Sequence, residues 1–161
     1  MKPEDIRCFL WELDQKINQY QNEFDLFNGG CCFAAYVLAK YLWLMNIKYK
    51  VVIFQHEDVI RKKWFKYAIN GWGLVHVGIE VEVDGNKTML GDCTGVYNYF
   101  SDKKCKCIVN EYNNIHPMSL IQAYRNNSNT WNPKYDTVHN IPLLKEIEAI
   151  TDKYIEKYMN A

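Results

Sequence analysis

Residues 74–83 read Leu-Val-His-Val-Gly-Ile-Glu-Val-Glu-Val, in which apolar side chains alternate with polar or small ones at a period of two. Such alternation is typical of a strand with one buried face. The next two residues, Asp84-Gly85, are a strong signal for a two-residue hairpin turn, and the strand pattern resumes through Thr88-Met89-Leu90. We therefore predict an antiparallel β-hairpin in this part of the chain.

The chain upstream of this hairpin predicts one strand and two helices. Tyr49–Phe54 is β-branched and aromatic, which favours a strand. Cys31–Met45 follows the turn-like Asn28-Gly29-Gly30 and contains good helix formers without Pro or Gly, so it predicts a helix. This helix is apolar nearly all round and should be buried. Pro3–Asn22 carries apolar residues at three- and four-residue spacing, which predicts an amphipathic helix.

The rest of the chain completes an α+β fold. A mixture of basic and aromatic residues at Asp58–Ile69 fits either a short helix or a lid over a groove. The 161 residues match one domain of about 100–200 residues, so we predict a single domain over 1–161. Downstream of the hairpin we predict a strand over Asp102–Asn110, a short helix over Pro117–Tyr124, a polar loop over Asn126–Asn140 and a helix over Pro142–Tyr158.

Composition argues against several function classes. The 19 Lys and Arg residues balance 19 Asp and Glu residues, so no overall field favours nucleic acid or an anionic membrane surface. The longest apolar stretch, Cys31–Met45, is interrupted by Lys40 and is shorter than the roughly 20 residues that cross a bilayer. The first residues lack the pattern of a signal peptide. We expect a cytoplasmic protein that binds neither nucleic acid nor membrane, with six free thiols.

Three residues form a candidate catalytic triad. Cys31 lies at a predicted helix start, where unpaired backbone N–H groups and the helix dipole favour a thiolate. A thiol nucleophile needs an imidazole within hydrogen-bond reach and a third group that fixes the imidazole's tautomer. His76 opens one hairpin strand and Asp92 ends the strand paired to it, so they come to nearly the same end. We therefore predict that Cys31, His76 and Asp92 converge.

The residues around the thiol supply candidate substrate contacts. Gly30, with the glycine before it, allows a sharp turn that leaves the sulfur approachable, and backbone N–H groups at this turn are suited to hold an oxyanion. Asn28 or Gln21 can assist the backbone N–H of Cys31 in that role. Trp72, just before the histidine strand, can line a substrate groove or cap the core.

An ordered series of short motifs extends this set. The series comprises Gly29-Gly30-Cys31 with Ala35, then Leu44-Met45-Asn46-Ile47, His76-Val77-Gly78-Ile79-Glu80-Val81, Asp84-Gly85 and Asp92-Cys93-Thr94. In order and spacing it resembles the transglutaminase-like group of the papain-like cysteine-enzyme superfamily. Three positions depart from that group's pattern: Ala34 stands where an aromatic residue is usual, Asn46 where glycine is usual and Gly78 where tryptophan is usual.

The resemblance implies a papain-like fold, in which a buried helix carries the nucleophile and packs on a small antiparallel sheet. It also implies acyl transfer on an amide bond, with Cys31 as nucleophile, His76 as proton carrier and Asp92 as its orienting group. We favour hydrolysis by a peptidase or amidase over a transglutaminase, because no second amine site is recognisable. We expect a protein or peptide-like amide substrate, no metal and no cofactor.

Several alternatives stay open on the sequence. The His76-Val77-Gly78-Ile79 strand is also similar to one in NlpC-like cell-wall peptidases, which would make Cys93 a second candidate nucleophile. Cys105-Lys106-Cys107, with Cys93 and His116, forms a partial zinc-site pattern. The basic and aromatic residues 61–65 fit a solvated helix face, an active-site rim or a surface for single-stranded nucleic acid. The chain can also be a non-catalytic structural or interaction protein that keeps the fold.

Overall fold

The protein folds into an α+β structure, as predicted. A computed structural model describes residues 1–19, 31–56, 74–91, 107–125, 142–158 and 160. Within these ranges the helices are α1 (Pro3–Gln19), α2 (Cys31–Leu44), α3 (Pro117–Arg125) and α4 (Pro142–Tyr158). The strands are β1 (Lys50–His56), β2 (Leu74–Val83), β3 (Asn86–Leu90) and β4 (Cys107–Asn113). The predictions for Asp58–Ile69 and Asn126–Asn140 lie outside the described residues.

The described strands form one antiparallel sheet in the order β3-β2-β1-β4. The predicted hairpin is confirmed as the β2–β3 pair. Its turn residues Asp84 and Gly85 have φ values of 50° and 76°. Two consecutive positive φ values define the type I′ turn, whose twist matches that of the flanking strands. The Asp-Gly dipeptide therefore fixes the register of this pair.

β4 continues past the predicted strand end at residue 110. Glu111 and Asn113 are exposed, which makes this segment resemble a loop in the sequence. β4 is an edge strand of the described sheet and pairs only with β1, so polar residues on its open face remain solvated. Asn114 ends the strand with a φ of 46° and exchanges two hydrogen bonds of 2.9 Å with the backbone of Tyr49.

α2 is the central helix, and it packs against β2 and α3. Just after its end, Asn46 takes the left-handed conformation with a φ of 55°. The N–H of Asn46 donates to the carbonyl of Trp43 at 3.0 Å, and the N–H of Ile47 donates to the carbonyl of Leu42 at 2.9 Å. These two bonds form a Schellman motif, which satisfies carbonyls left free at a helix end. Asparagine therefore replaces the usual glycine here without loss of the cap.

α1 and α4 pack on each other. The rings of Phe9 and Tyr154 lie 5.1 Å apart, and the Tyr154 hydroxyl donates a 2.8 Å hydrogen bond to Glu12. Burial, reinforced by the Glu12 carboxylate, raises the pKa of Tyr154 above its usual value.

Among the described helices, none combines the length and the apolar character that a membrane span requires.

Candidate active site

Cys31 is the first residue of α2. Its side chain is only 5% exposed and belongs to the hydrophobic core that the helices share with the sheet. The first N–H groups of a helix have no partners within the helix. Gly30 and Asn28, the candidate oxyanion and substrate contacts, lie outside the described residues.

The start of α2 and the start of β2 lie at the same end of the fold. A short connection, 45–49, joins α2 to β1, so β1 runs back towards the start of α2. β2 is antiparallel to β1, and its residue His76 stands opposite Phe54 near the end of β1. The topology therefore brings Cys31 and His76 to one end of the molecule although they are far apart in sequence.

His76 is a buried histidine with an unusual hydrogen-bond status. Its side chain is 7% exposed, and among the described residues its Nε2 has no hydrogen-bond partner. Its ring lies 6.0 Å from the ring of Phe54, at an interplanar angle of 31°. A buried polar atom without a partner costs about 1–3 kcal/mol of stability. Such a group calls for an explanation, and a catalytic role is one.

Strand geometry determines the side of the sheet on which His76 lies. Successive residues of a strand point to opposite faces. Val77, Ile79 and Val81 belong to the same hydrophobic core as Cys31. The side chain of His76 therefore points to the other face of the sheet. The thiol and the imidazole share one end of the fold but lie on different sides of the sheet.

A β-bulge directly precedes His76. In the β1–β2 ladder Phe54 pairs with His76, but the next residue, Gln55, pairs with Leu74, so Val75 is an extra residue in β2. Bulges bend a strand, increase its local twist and change the direction of neighbouring side chains. The bulge therefore lies next to His76, where it affects the direction of the imidazole.

The third predicted member of the triad, Asp92, lies just beyond the described part of β3. The residue before it, Gly91, is described: its φ is 75°, and its N–H donates a 2.8 Å hydrogen bond to Asp14 of α1. A Cβ at Gly91 would lie 3.3 Å from Cδ1 of Leu38 in α2. The chain therefore leaves β3 beside α2. Trp72 and Cys93 also lie outside the described residues.

Two features of β2 concern Gly78 and Glu80. A Cβ on Gly78 would lie 2.6 Å from the sulfur of Met89 on β3, so the methionine side chain occupies the space above Gly78. The carboxylate of Glu80 is 3% exposed and stands 3.8 Å from the ammonium groups of both Lys50 and Lys87. Sequence reasoning missed this buried charge, although the period of two already places Glu80 on the face of His76.

The zinc alternative gains no support from the described residues. Among them, no group of three or more His, Cys, Asp or Glu side chains is placed to hold a metal ion. His116 instead packs against the ring of Trp43 at 4.7 Å, and its Nδ1 accepts a 3.1 Å hydrogen bond from the N–H of Met118. Cys93 and Cys105 lie outside the described residues.

Comparison with known proteins adds no relative: the chain matches no protein family, no curated protein and no solved structure. Its function is therefore argued from its own residues.

Proposed function

We propose that this chain is a papain-like cysteine enzyme that transfers the acyl group of an amide to water, and so acts as a peptidase or amidase. One observation carries the proposal. The imidazole of His76 is buried, has no partner for Nε2 among the described residues, and lies at the end of the fold where the helix headed by Cys31 begins. A buried polar group without a partner, at the same end of the fold as a candidate nucleophile, is a reason to suspect a catalytic site.

The proposed reaction uses the thiol and the imidazole in two steps. The sulfur of Cys31 attacks the amide carbonyl carbon while His76 takes the thiol proton, which it then gives to the leaving amine. The resulting thioester is attacked by water, whose proton passes through His76, and the acid and the free thiol are released. Asp92 accepts a hydrogen bond from the imidazole and fixes its tautomer.

The remaining candidate residues act on the substrate. The backbone N–H of Cys31 and the turn at Gly30 hold the oxyanion, with assistance from Asn28, and Trp72 lines the groove that receives a protein or peptide-like substrate. A transglutaminase would differ only in the acceptor, which would be an amine instead of water. The proposal involves no metal or cofactor.

The sheet imposes a geometric requirement on this mechanism. Because His76 points away from the face on which α2 packs, the imidazole must meet the sulfur around the end of the sheet. The extra residue at Val75 supports this arrangement, since bulges re-aim side chains at strand ends and beside active sites.

Thiol alkylation tests the proposal with a control inside the same chain. Cys8 is exposed and Cys31 is buried, so two passive thiols would react with iodoacetamide in the order of their exposure, Cys8 first. The proposal predicts the reverse order at near-neutral pH, read by peptide mass mapping. It also predicts that His76→Ala slows the alkylation of Cys31 and leaves that of Cys8 unchanged. Faster alkylation of Cys8, or an unchanged Cys31 rate in His76→Ala, would overturn it.

A second candidate is a non-catalytic structural or interaction protein that keeps the fold. The burial of Cys31 in the core and the location of His76 on the other face favour this candidate. This candidate predicts that His76→Ala changes only the free energy of unfolding. It also predicts that Cys31 reacts with iodoacetamide no faster than a buried thiol without a catalytic role. The alkylation experiment therefore separates the two candidates.

A further inference from the structure

The imidazole of His116 caps the start of α3. His116 directly precedes Pro117, the first residue of this helix. Its carbonyl accepts hydrogen bonds from the N–H groups of Ser119 and Leu120 at 2.9 and 3.3 Å. Its Nδ1 accepts a 3.1 Å hydrogen bond from the N–H of Met118, the second helical residue. This is the arrangement of a helix N-cap, a position that Ser, Thr, Asp or Asn usually occupies. Here the capping acceptor is a group that titrates.

The cap requires the neutral imidazole. Nδ1 accepts a hydrogen bond only when the single ring proton is on Nε2. Protonation makes both ring nitrogens donors, so the bond from the N–H of Met118 is lost. It also places a positive charge at the helix end where the macrodipole favours a negative one. The cap is therefore present above about pH 6.5, where an imidazole ordinarily changes charge, and is lost as the pH falls below it.

No neighbouring carboxylate in the described residues offsets that positive charge. There the ring of His116 contacts a backbone N–H and the indole of Trp43, and it forms no ion pair. The first turn of α3 has no acidic residue, and the last turn of α2, which carries Trp43, has no charged residue. The nearest charged residues along α2 and the connection after it, Lys40 and Lys48, are also positive. Glu111 of β4 is paired with a lysine of β1 at 3.6 Å.

The residues around the cap are held in place, so the first turn of α3 is the part that can respond. The rings of His116 and Trp43 lie 4.7 Å apart at an interplanar angle of 65°. The carbonyl of Ile115, just before the cap, accepts a hydrogen bond from the hydroxyl of Tyr49. Met118 in the first turn is exposed, whereas the residues that follow at 120 and 121 are buried in the core.

We propose that His116 is a pH-operated latch on the first turn of α3. At neutral pH the uncharged imidazole closes this turn. In acid the charged imidazole releases the N–H of Met118 and the turn opens, while the buried residues Leu120 and Ile121 keep the rest of the helix in the core. The latch uses neither Cys31 nor His76, so it is independent of the enzyme activity proposed above.

Amide hydrogen exchange at Met118, measured by NMR, tests the inference. The quantity compared is the protection factor, which divides the exchange rate of an unstructured amide by the observed rate at the same pH. Between about pH 7.5 and about pH 5, this factor should fall about fivefold in the unchanged protein. In His116→Asn, whose side chain caps helices without titrating, it should be the same at both pH values. In His116→Ala it should be low at both.

The same chain supplies a control and a second measurement. The N–H of Ile47 donates to the carbonyl of Leu42 at the end of α2, a bond without a titratable group, so its protection should not change. The ¹⁵N shifts of the His116 ring should show the proton on Nε2 at neutral pH, and this measurement needs no variant. Three results would overturn the inference: a proton on Nδ1 at neutral pH, a protection of Met118 that does not depend on pH, or an equal loss of protection in His116→Asn.

Discussion

The backbone N–H of Gly91 donates a 2.8 Å hydrogen bond to Oδ1 of Asp14, which joins the end of β3 to α1. The other carboxylate oxygen of Asp14 accepts a 3.1 Å hydrogen bond from Nδ2 of Asn18. Gly91 immediately precedes the proposed third member of the triad in the sequence, so this contact fixes the last described residue before it.

Removal of that carboxylate should destabilise the protein. Asp14→Ala leaves the N–H of Gly91 and the amide of Asn18 without this acceptor, so we expect a loss of about 1–3 kcal/mol in the free energy of unfolding. Asp14→Asn retains one acceptor oxygen for Gly91 and should lose less. Urea denaturation of both variants measures the difference, and equal stability of Asp14→Ala and the unchanged protein would contradict the prediction.

Alanine substitutions at two glycines with almost the same φ distinguish the cost of backbone strain from the cost of a packing conflict. Gly85 and Gly91 have φ values of 76° and 75°, but a Cβ at Gly85 meets no atom within 4 Å, whereas one at Gly91 lies 3.3 Å from Leu38. Gly85→Ala should therefore cost only the left-handed strain of about 1–2 kcal/mol. Gly91→Ala should cost more, because Leu38 must also move. Equal losses in a denaturation experiment would show that α2 does not constrain Gly91.

Local signals in the sequence predicted much of this fold. Asp84-Gly85 predicted the hairpin because residue types that tolerate a positive φ are a local signal for this turn. The continuation of β4 to Asn113 was not predicted. Its polar residues are tolerated because the strand has one neighbour in the described sheet, and that information depends on the pairing of distant segments.

Met89 should limit the size of the side chain that position 78 accepts. Gly78→Ala brings a Cβ to 2.6 Å from the methionine sulfur, so the methionine must change rotamer, and we expect a loss of about 1 kcal/mol. The double variant Gly78→Ala with Met89→Ala removes the conflict. In a double-mutant cycle, the double variant should therefore lose less stability than the sum of the two single losses. Additive losses would show that the two side chains do not compete for this space.

Stability should fall at alkaline pH through the ionisation of buried tyrosines. Burial raises the pKa of Tyr49 from 10.0 to about 12, and its hydroxyl donates a hydrogen bond to the carbonyl of Ile115. Because the pKa is higher in the folded state, this stabilisation is complete below pH 10 and is lost as the pH rises towards 12.

Tyr49→Phe isolates this contribution. It should lower the free energy of unfolding by about 1 kcal/mol near neutral pH, because the hydrogen bond is lost, and it should reduce the slope of stability against pH above pH 10. Tyr41, whose burial also raises its pKa to about 12, keeps part of the slope. Denaturant titrations over this pH range measure the effect, and an unchanged slope in Tyr49→Phe would contradict it.

The candidate site was only partly predictable. The glycines before Cys31 and the helix formers after it predicted that Cys31 begins a helix. The hairpin topology predicted the end of the sheet at which His76 lies. The face of His76 can also be inferred, because the apolar residues of β2 must point towards the helices. The bulge at Val75 and the contact with Phe54 could not be predicted, since they arise from the register of β2 against a separate strand.

The most direct test of the account is the pH dependence of the alkylation of Cys31 by iodoacetamide, in the unchanged protein and in His76→Ala. A thiolate held by the imidazole of His76 predicts rapid alkylation of Cys31 well below the ordinary thiol pKa of about 8.5, and a return to the ordinary thiol profile in His76→Ala. The same ordinary profile in both proteins would contradict the claim that sulfur and imidazole form one catalytic unit.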